Sequence, residues 1–177
     1  GVERPVAGYS GRISTEKNVG HLCEFAEEFE GSVVIVGEGP KRPQVEETAG
    51  ENVEVMDFLD REKLPAFYSG IDVFVTASTG DTLGLSTLEA NACGTPVVAA
   101  DVEPFDQTIE DENGERFEFG DTGDMVRMVE KALANDYRTR KAAEKHCIRK
   151  TIDTLEEMYL DTLEGMHQEV RKWEATA

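Results

Sequence analysis

Short apolar runs rich in valine and isoleucine alternate with longer segments whose apolar positions recur every three or four residues. The runs are "PVAGYSG" from Pro5, "SVVIVG" from Ser32, "VEVM" from Val53, "DVFVTA" from Asp72, "PVVAA" from Pro96 and the shorter "RFEF" from Arg116. Each has the length of a buried strand. In the first intervening segment Leu22, Phe25, Ala26 and Phe29 share one helical face, with Asn18 placed to cap it. A short helix is expected near residues 45–49, and another runs through Leu64, Phe67 and Tyr68. The next carries Leu85, Leu88, Ala92 and Cys93 on one face and ends at Gly94 in a left-handed cap. A further helix starts near Asp124. Uninterrupted apolar strands separated by helices predict an α/β fold whose parallel sheet is covered on both faces. Right-handed crossovers make it doubly wound and Rossmann-like, with the ligand site at the carboxyl ends of the strands.

The last segment has a different pattern. From Thr151 the apolar positions Ile152, Leu155, Tyr159, Leu163, Met166 and Val170 step by three or four, which predicts a long amphipathic helix. The expected organisation is therefore one domain over residues 1–150 and a helix over 151–177. The helix's later turns are expected to pack on a part of the protein outside this chain. A length of 177 residues suits a single core, and no apolar run is long enough to span a bilayer.

Charge narrows the partners. Asp and Glu number 37 against 18 Lys and Arg, for a net charge of −19. Such a surface repels nucleic acid and anionic membranes, because neutralising phosphates requires basic side chains. The excess is spread along the chain rather than gathered in a tail, which fits an acidic, halophilic protein whose self-repulsion is screened by salt. No signal segment opens the chain, so a cytoplasmic location is expected, and the abrupt start reads as an excised domain. Cys23, Cys93 and Cys147, like His21, His146 and His167, are too scattered for a metal site. The cysteines at helical positions are expected to be packed thiols, with neither zinc nor disulfides expected.

In a doubly wound sheet the loops after the strands carry the chemistry. After the first strand, "GRISTEKN" supplies Arg12 and Lys17, the only Lys or Arg between residues 5 and 40. A guanidinium fork and a mobile ammonium at the ligand edge of so acidic a chain favour phosphate binding over two solvated surface cations. After the second strand, "GEGP" is a turn by composition. After the fourth comes "DTLGLSTLEANACGTPVV": Gly84 allows close approach of backbone to a ligand, and the amides that open the next helix suit an anion. Asp81 and Glu89 are suited to sugar or ribose hydroxyls. Composition and spacing equally allow Asp81 to be a helix cap and Glu89 a surface residue.

These segments resemble a known family. "GRISTEKN" is similar to the Gly-Arg-x4-Lys-Asn segment of the C-terminal, donor-binding domain of GT-B glycosyltransferases of family 4 (glycosyl transferases group 1), and "GEGP" to that family's Gly-Asp/Glu-Gly-Pro turn. "DTLGLSTLEANACGTPVVAAD" resembles its Glu-x7-Glu signature and the strand that follows. The resemblance runs from about residue 6 to 135, in the family's order. It implies retaining transfer of a sugar from a nucleoside-diphosphate sugar, with Arg12 and Lys17 on the diphosphate and Glu89 on the ribose. Backbone around Phe58 would meet the base. The amides of Leu83, Gly84 and Leu85, together with Asp81, would face diphosphate and sugar, with Asp81 the catalytic candidate. Neutralising Asp81 is then expected to spare a bare diphosphate.

The resemblance also implies no cofactor and no essential metal. It implies a lipid or glycan acceptor bound mostly by a missing N-terminal domain, peripheral membrane association of a full enzyme, and an inactive isolated fragment. Three departures stand out. Asp81 replaces the usual first Glu, Asp57 stands where Gly is common, and "DVEPFDQTIEDENG" lacks the frequent Gly-Gly and resembles the subgroup that glycosylates diacylglycerol. The alternatives are a UDP-sugar epimerase of the same fold, and a non-catalytic receiver-type signalling domain with Asp57 near Thr76 and Ser78.

Overall fold

A computed structural model of the chain describes residues 2–150, 152–160 and 162. Six strands form one sheet: β1 (Val6–Ser10), β2 (Ser32–Val36), β3 (Val53–Met56), β4 (Val73–Thr76), β5 (Val97–Ala100) and β6 (Gly114–Phe117). Every neighbouring pair is parallel, in the order β3-β2-β1-β4-β5-β6. The helices are α1 (Gly20–Glu28), α2 (Arg42–Thr48), α3 (Leu64–Gly70), α4 (Leu85–Cys93), α5 (Phe105–Thr108), α6 (Thr122–Ala134) and α7 (Thr139–Ala143). The expected doubly wound α/β sheet is present. Residues of β1, β2, β4 and β5 are buried throughout, as strands covered on both faces must be, whereas edge strand β3 alternates half-buried and exposed positions. The order turns back between β1 and β4, and the crevice at such a switch point is where doubly wound sheets bind ligands. A receiver domain runs 2-1-3-4-5 instead, so this order removes that alternative.

Four local expectations need correction. Asn18 does not cap α1; it sits in the left-handed region (φ 49°) and closes a 3-10 turn over Thr15–Lys17, and no side chain caps α1. Helix α4 buries Thr87, Ala90 and Asn91, while Leu85 and Ala92 are exposed. The reason is polar satisfaction. Asn91 donates to the carbonyls of Thr95 and Asn113, Asn113 donates to the Asn91 side chain, and Thr87 donates to the Gly84 carbonyl. These groups are buried because each has its partner. Strand β6 begins at Gly114, two residues ahead of "RFEF", and leaves Glu118 and Phe119 outside it. Cys23 is buried as expected, but Cys93 on α4 is only half-buried, and Cys147 is exposed.

Gly94 ends α4 as expected, at φ 97°, with its amide on Asn91 and that of Thr95 on Ala90. Helix α6 starts where the Asp121 side chain accepts from the Asp124 amide at 2.8 Å.

Residues 1–143 form one compact unit and residues 144–177 a second. In the second, residues 148–150 and 152–160 are helical, with Ile152, Leu155 and Tyr159 exposed. The expected apolar positions Leu163, Met166 and Val170 lie outside the described residues. No helix among the described residues is long and apolar enough to cross a membrane.

Candidate active site

The loop after β1 is held from two sides. The Gly11 amide continues the ladder onto Val36, the Ile13 amide donates to Glu38, and the Lys41 amide donates to Ile13. The Tyr9 hydroxyl donates to the Arg12 carbonyl at 2.9 Å. This explains the "GEGP" glycines: a Cβ on Gly39 would lie 2.2 Å from the Ile13 carbonyl oxygen, and one on Gly37 1.9 Å from that of Gly11. Their task is to let one loop back onto the other. Arg12 is thus fixed through its backbone while its side chain stays exposed.

A second set of bonds ties this loop to the one after β4. The Asn18 amide group donates to the carbonyls of Glu16 and Ala77 and to the Thr79 hydroxyl, and the Thr79 amide donates to Glu16. The Ser14 hydroxyl donates to the Glu16 carboxylate and, as the largest cause, holds that carboxyl below its ordinary range. With the loops joined, Lys17 Nζ meets Asp81 Oδ1 at 2.8 Å, both side chains about one-fifth exposed. Asp81 is therefore an ion-pair partner and not the helix cap. The N-cap is Gly84 at φ 65°, with no side-chain cap, and a Cβ there would come 2.6 Å from the Phe105 ring. Glycine is required at this position, and the start of α4 is left open toward the loop.

These elements enclose a cleft of about 370 Å³ walled by residues 9–12, Lys17, Thr76 and residues 81–86. It lies between β1 and β4, at the switch point. Of the residues singled out in the sequence, Arg12, Lys17, Asp81, Leu83, Gly84 and Leu85 come together here. Phe58 and Glu89 are not part of the wall. Phe58 follows β3 and is 67% exposed. Asp57 beside it pairs with Arg42 at 2.8 Å, which gives the aspartate a structural role where glycine is common in the resembling family. Glu89 is half-buried and accepts a hydrogen bond from the Tyr68 hydroxyl at 3.0 Å. A larger cleft of about 600 Å³ surrounds Pro5, Pro96 and Tyr137, at the amino ends of the strands, the wrong edge for this fold.

Sequence reasoning missed three contributors. Ser10 and Tyr9 line the cleft from the end of β1, and Asn18 joins the two loops. A tyrosine inside a strand whose hydroxyl needs a partner is the one signal that pointed to Tyr9. Burial pushes the Tyr9 phenol well above its ordinary range, and the charges of Asp81 and Glu16 push it further. Tyr68 is raised by burial and then by Glu89. Both stay protonated donors across the neutral range. Two cations, Arg12 and Lys17, and the uncapped start of α4 share this cleft with the side chains of Tyr9, Ser10 and Thr76, a set of groups chemically suited to anionic oxygen atoms.

Residues 2–150 match the family described as glycosyl transferases group 1, and the chain belongs to that family. It is 34% identical over 147 residues to a sulfoquinovosyl transferase of Arabidopsis thaliana, covering 78% of this chain and 28% of that protein. With an alpha-monoglucosyldiacylglycerol synthase of Acholeplasma laidlawii it shares 32% identity over 110 residues, or 56% of this chain and 28% of the relative. The chain thus spans under a third of the length of these relatives. Among solved structures it superposes on HepE of Anabaena in complex with UDP and glucose, with a TM-score of 0.75 at 19% identity, over 92% of this chain and 49% of that one. That likeness fixes the fold as the Rossmann-like type found in GT-B glycosyltransferases.

Proposed function

We propose that the chain is the C-terminal, donor-binding half of a retaining family 4 glycosyltransferase that takes its sugar from a nucleoside-diphosphate sugar. The observation that carries this reading is the convergence of Arg12, Lys17, Asp81 and the open start of α4 on one cleft at the switch point. Arg12, Lys17 and the first amides of α4 hold the diphosphate and stabilise its charge as the glycosidic bond breaks, without an essential metal. Asp81 faces the transferred sugar, Glu89 the ribose, and the backbone near Phe58 the base. Supporting the donor class, HepE was solved with UDP and glucose. Supporting a lipid acceptor, the Acholeplasma relative is a diacylglycerol glucolipid synthase by name. The acceptor is held by an N-terminal half outside this chain, so the chain alone binds donor and does not turn over. The full enzyme is cytoplasmic and meets the membrane peripherally.

The test is a calorimetric screen of UDP, GDP, ADP and their sugars at molar salt. One nucleotide series is expected to bind, and Arg12→Ala to weaken it by roughly ten- to a hundredfold, since a charge-assisted bond is worth about 1.5–3 kcal/mol. If none of the three series binds, or Arg12→Ala leaves the affinity unchanged, the reading is wrong.

A further inference from the structure

Glu89 is held by a residue that neither motif nor periodicity marks as part of a site. Tyr68 lies on α3, 2% exposed, and its backbone carbonyl accepts the Thr95 hydroxyl at 2.6 Å. Its ring meets the Phe74 edge of β4 with centroids 5.6 Å apart, which fixes the ring in the core. The hydroxyl emerges from that packing and donates to Glu89 Oε2 at 3.0 Å. Tyr68 and Glu89 thus join α3 to the middle of α4 through one polar contact.

We infer that Tyr68 is a positioning residue for nucleoside recognition: by occupying Oε2 it fixes the Glu89 carboxylate so that Oε1 accepts from the ribose diol. The inference rests on the proposed role of Glu89. Physically, a glutamate about one turn into a helix has three rotatable torsions, and a buried donor on one oxygen removes most of that freedom before ligand arrives. Tyr68 suits the task because its ring is locked by packing and its hydroxyl remains a donor.

The experiment compares a nucleoside diphosphate with its 2′-deoxy form, using whichever of UDP, GDP or ADP binds best, on the wild-type chain, Glu89→Gln and Tyr68→Phe. The wild type is expected to prefer the ribose form by about tenfold or more, one hydrogen bond to a charged acceptor being at stake. Tyr68→Phe keeps the packed ring. It is expected to cut that preference at least threefold while the 2′-deoxy nucleotide binds as before. A merely structural role would weaken both nucleotides together and leave their ratio unchanged. Loss of the preference in Glu89→Gln, with Tyr68→Phe unchanged, overturns the positioning role alone. An undiminished preference in Glu89→Gln overturns the assignment of Glu89 itself, and so does failure of all three nucleotides to bind.

Discussion

Neutralising Asp81 is expected to tighten the binding of a bare nucleoside diphosphate. As a motif residue Asp81 faces only the sugar, and its removal should leave a diphosphate indifferent; the ion pair to Lys17 changes that expectation. Lys17 Nζ is 2.8 Å from Asp81 Oδ1, with the two side chains 19% and 20% exposed. A fully exposed pair contributes about 0.2–1 kcal/mol, and a sheltered charge-assisted bond about 1.5–3 kcal/mol. This pair sits between the two, at roughly 1 kcal/mol. A diphosphate that recruits Lys17 must draw it from Asp81 or share it, and loses about that much. In Asp81→Asn the cost is gone, as is the repulsion between carboxylate and diphosphate, so affinity rises about fivefold.

Calorimetry of the wild type, Asp81→Asn, Lys17→Ala and the double variant closes the cycle. If the gain runs through Lys17, Asp81→Asn adds little in the Lys17→Ala background. The sugar-bearing donor should behave oppositely and bind Asp81→Asn more weakly relative to the bare diphosphate, because a sugar hydroxyl loses its charged acceptor. Equal or weaker diphosphate binding by Asp81→Asn refutes the reasoning. A gain of the same size with and without Lys17 assigns it to simple repulsion instead.

Why the pair was hidden while the sheet was legible follows from how each is encoded. Strands β2, β4 and β5 announce themselves because burial on both faces demands continuous apolar runs, a local property of four or five residues. Gly94 is equally local, since a left-handed cap needs glycine there. The misread face of α4 shows the limit. Thr87 and Asn91 look like surface residues in sequence, and only the tertiary partners at Gly84, Thr95 and Asn113 make their burial acceptable. The site repeats the lesson at longer range. Lys17 and Asp81 are 64 residues apart, and Tyr68 and Glu89 are 21 apart on two different helices. Motif resemblance brought Lys17, Asp81 and Glu89 forward one by one, but the Lys17–Asp81 pairing follows from the strand order that sets β1 beside β4, and the Glu89–Tyr68 pairing from α3 lying against α4.

Two expectations concern the domain as a whole. In alkali, Tyr9, Tyr68 and Tyr137 all have phenols raised mainly by burial. Unfolded tyrosines lose their protons near pH 10, before these do, so the stability they contribute is complete below about pH 10 and falls as pH rises above it. In a Tyr159→Phe chain, whose remaining tyrosines are these three, tyrosinate absorbance should therefore rise with unfolding; its rise in a chain that stays folded by circular dichroism would refute this. In salt, the net charge of −19 should make the chain more stable as ionic strength increases. The screening length falls from about 10 Å at 0.1 M to about 3 Å at 1 M, so repulsion among the excess carboxylates is suppressed far more than the contact pairs such as Lys17–Asp81 are weakened. Potassium chloride isolates this effect, because it lacks the strong exclusion from protein surfaces that makes sulfate stabilise proteins of any charge. The melting temperature should climb steadily from dilute buffer to molar potassium chloride. A midpoint that stays level or drops over that range would mean that the surface needs no screening, and the acidic composition would then have to be explained by something other than a salty interior.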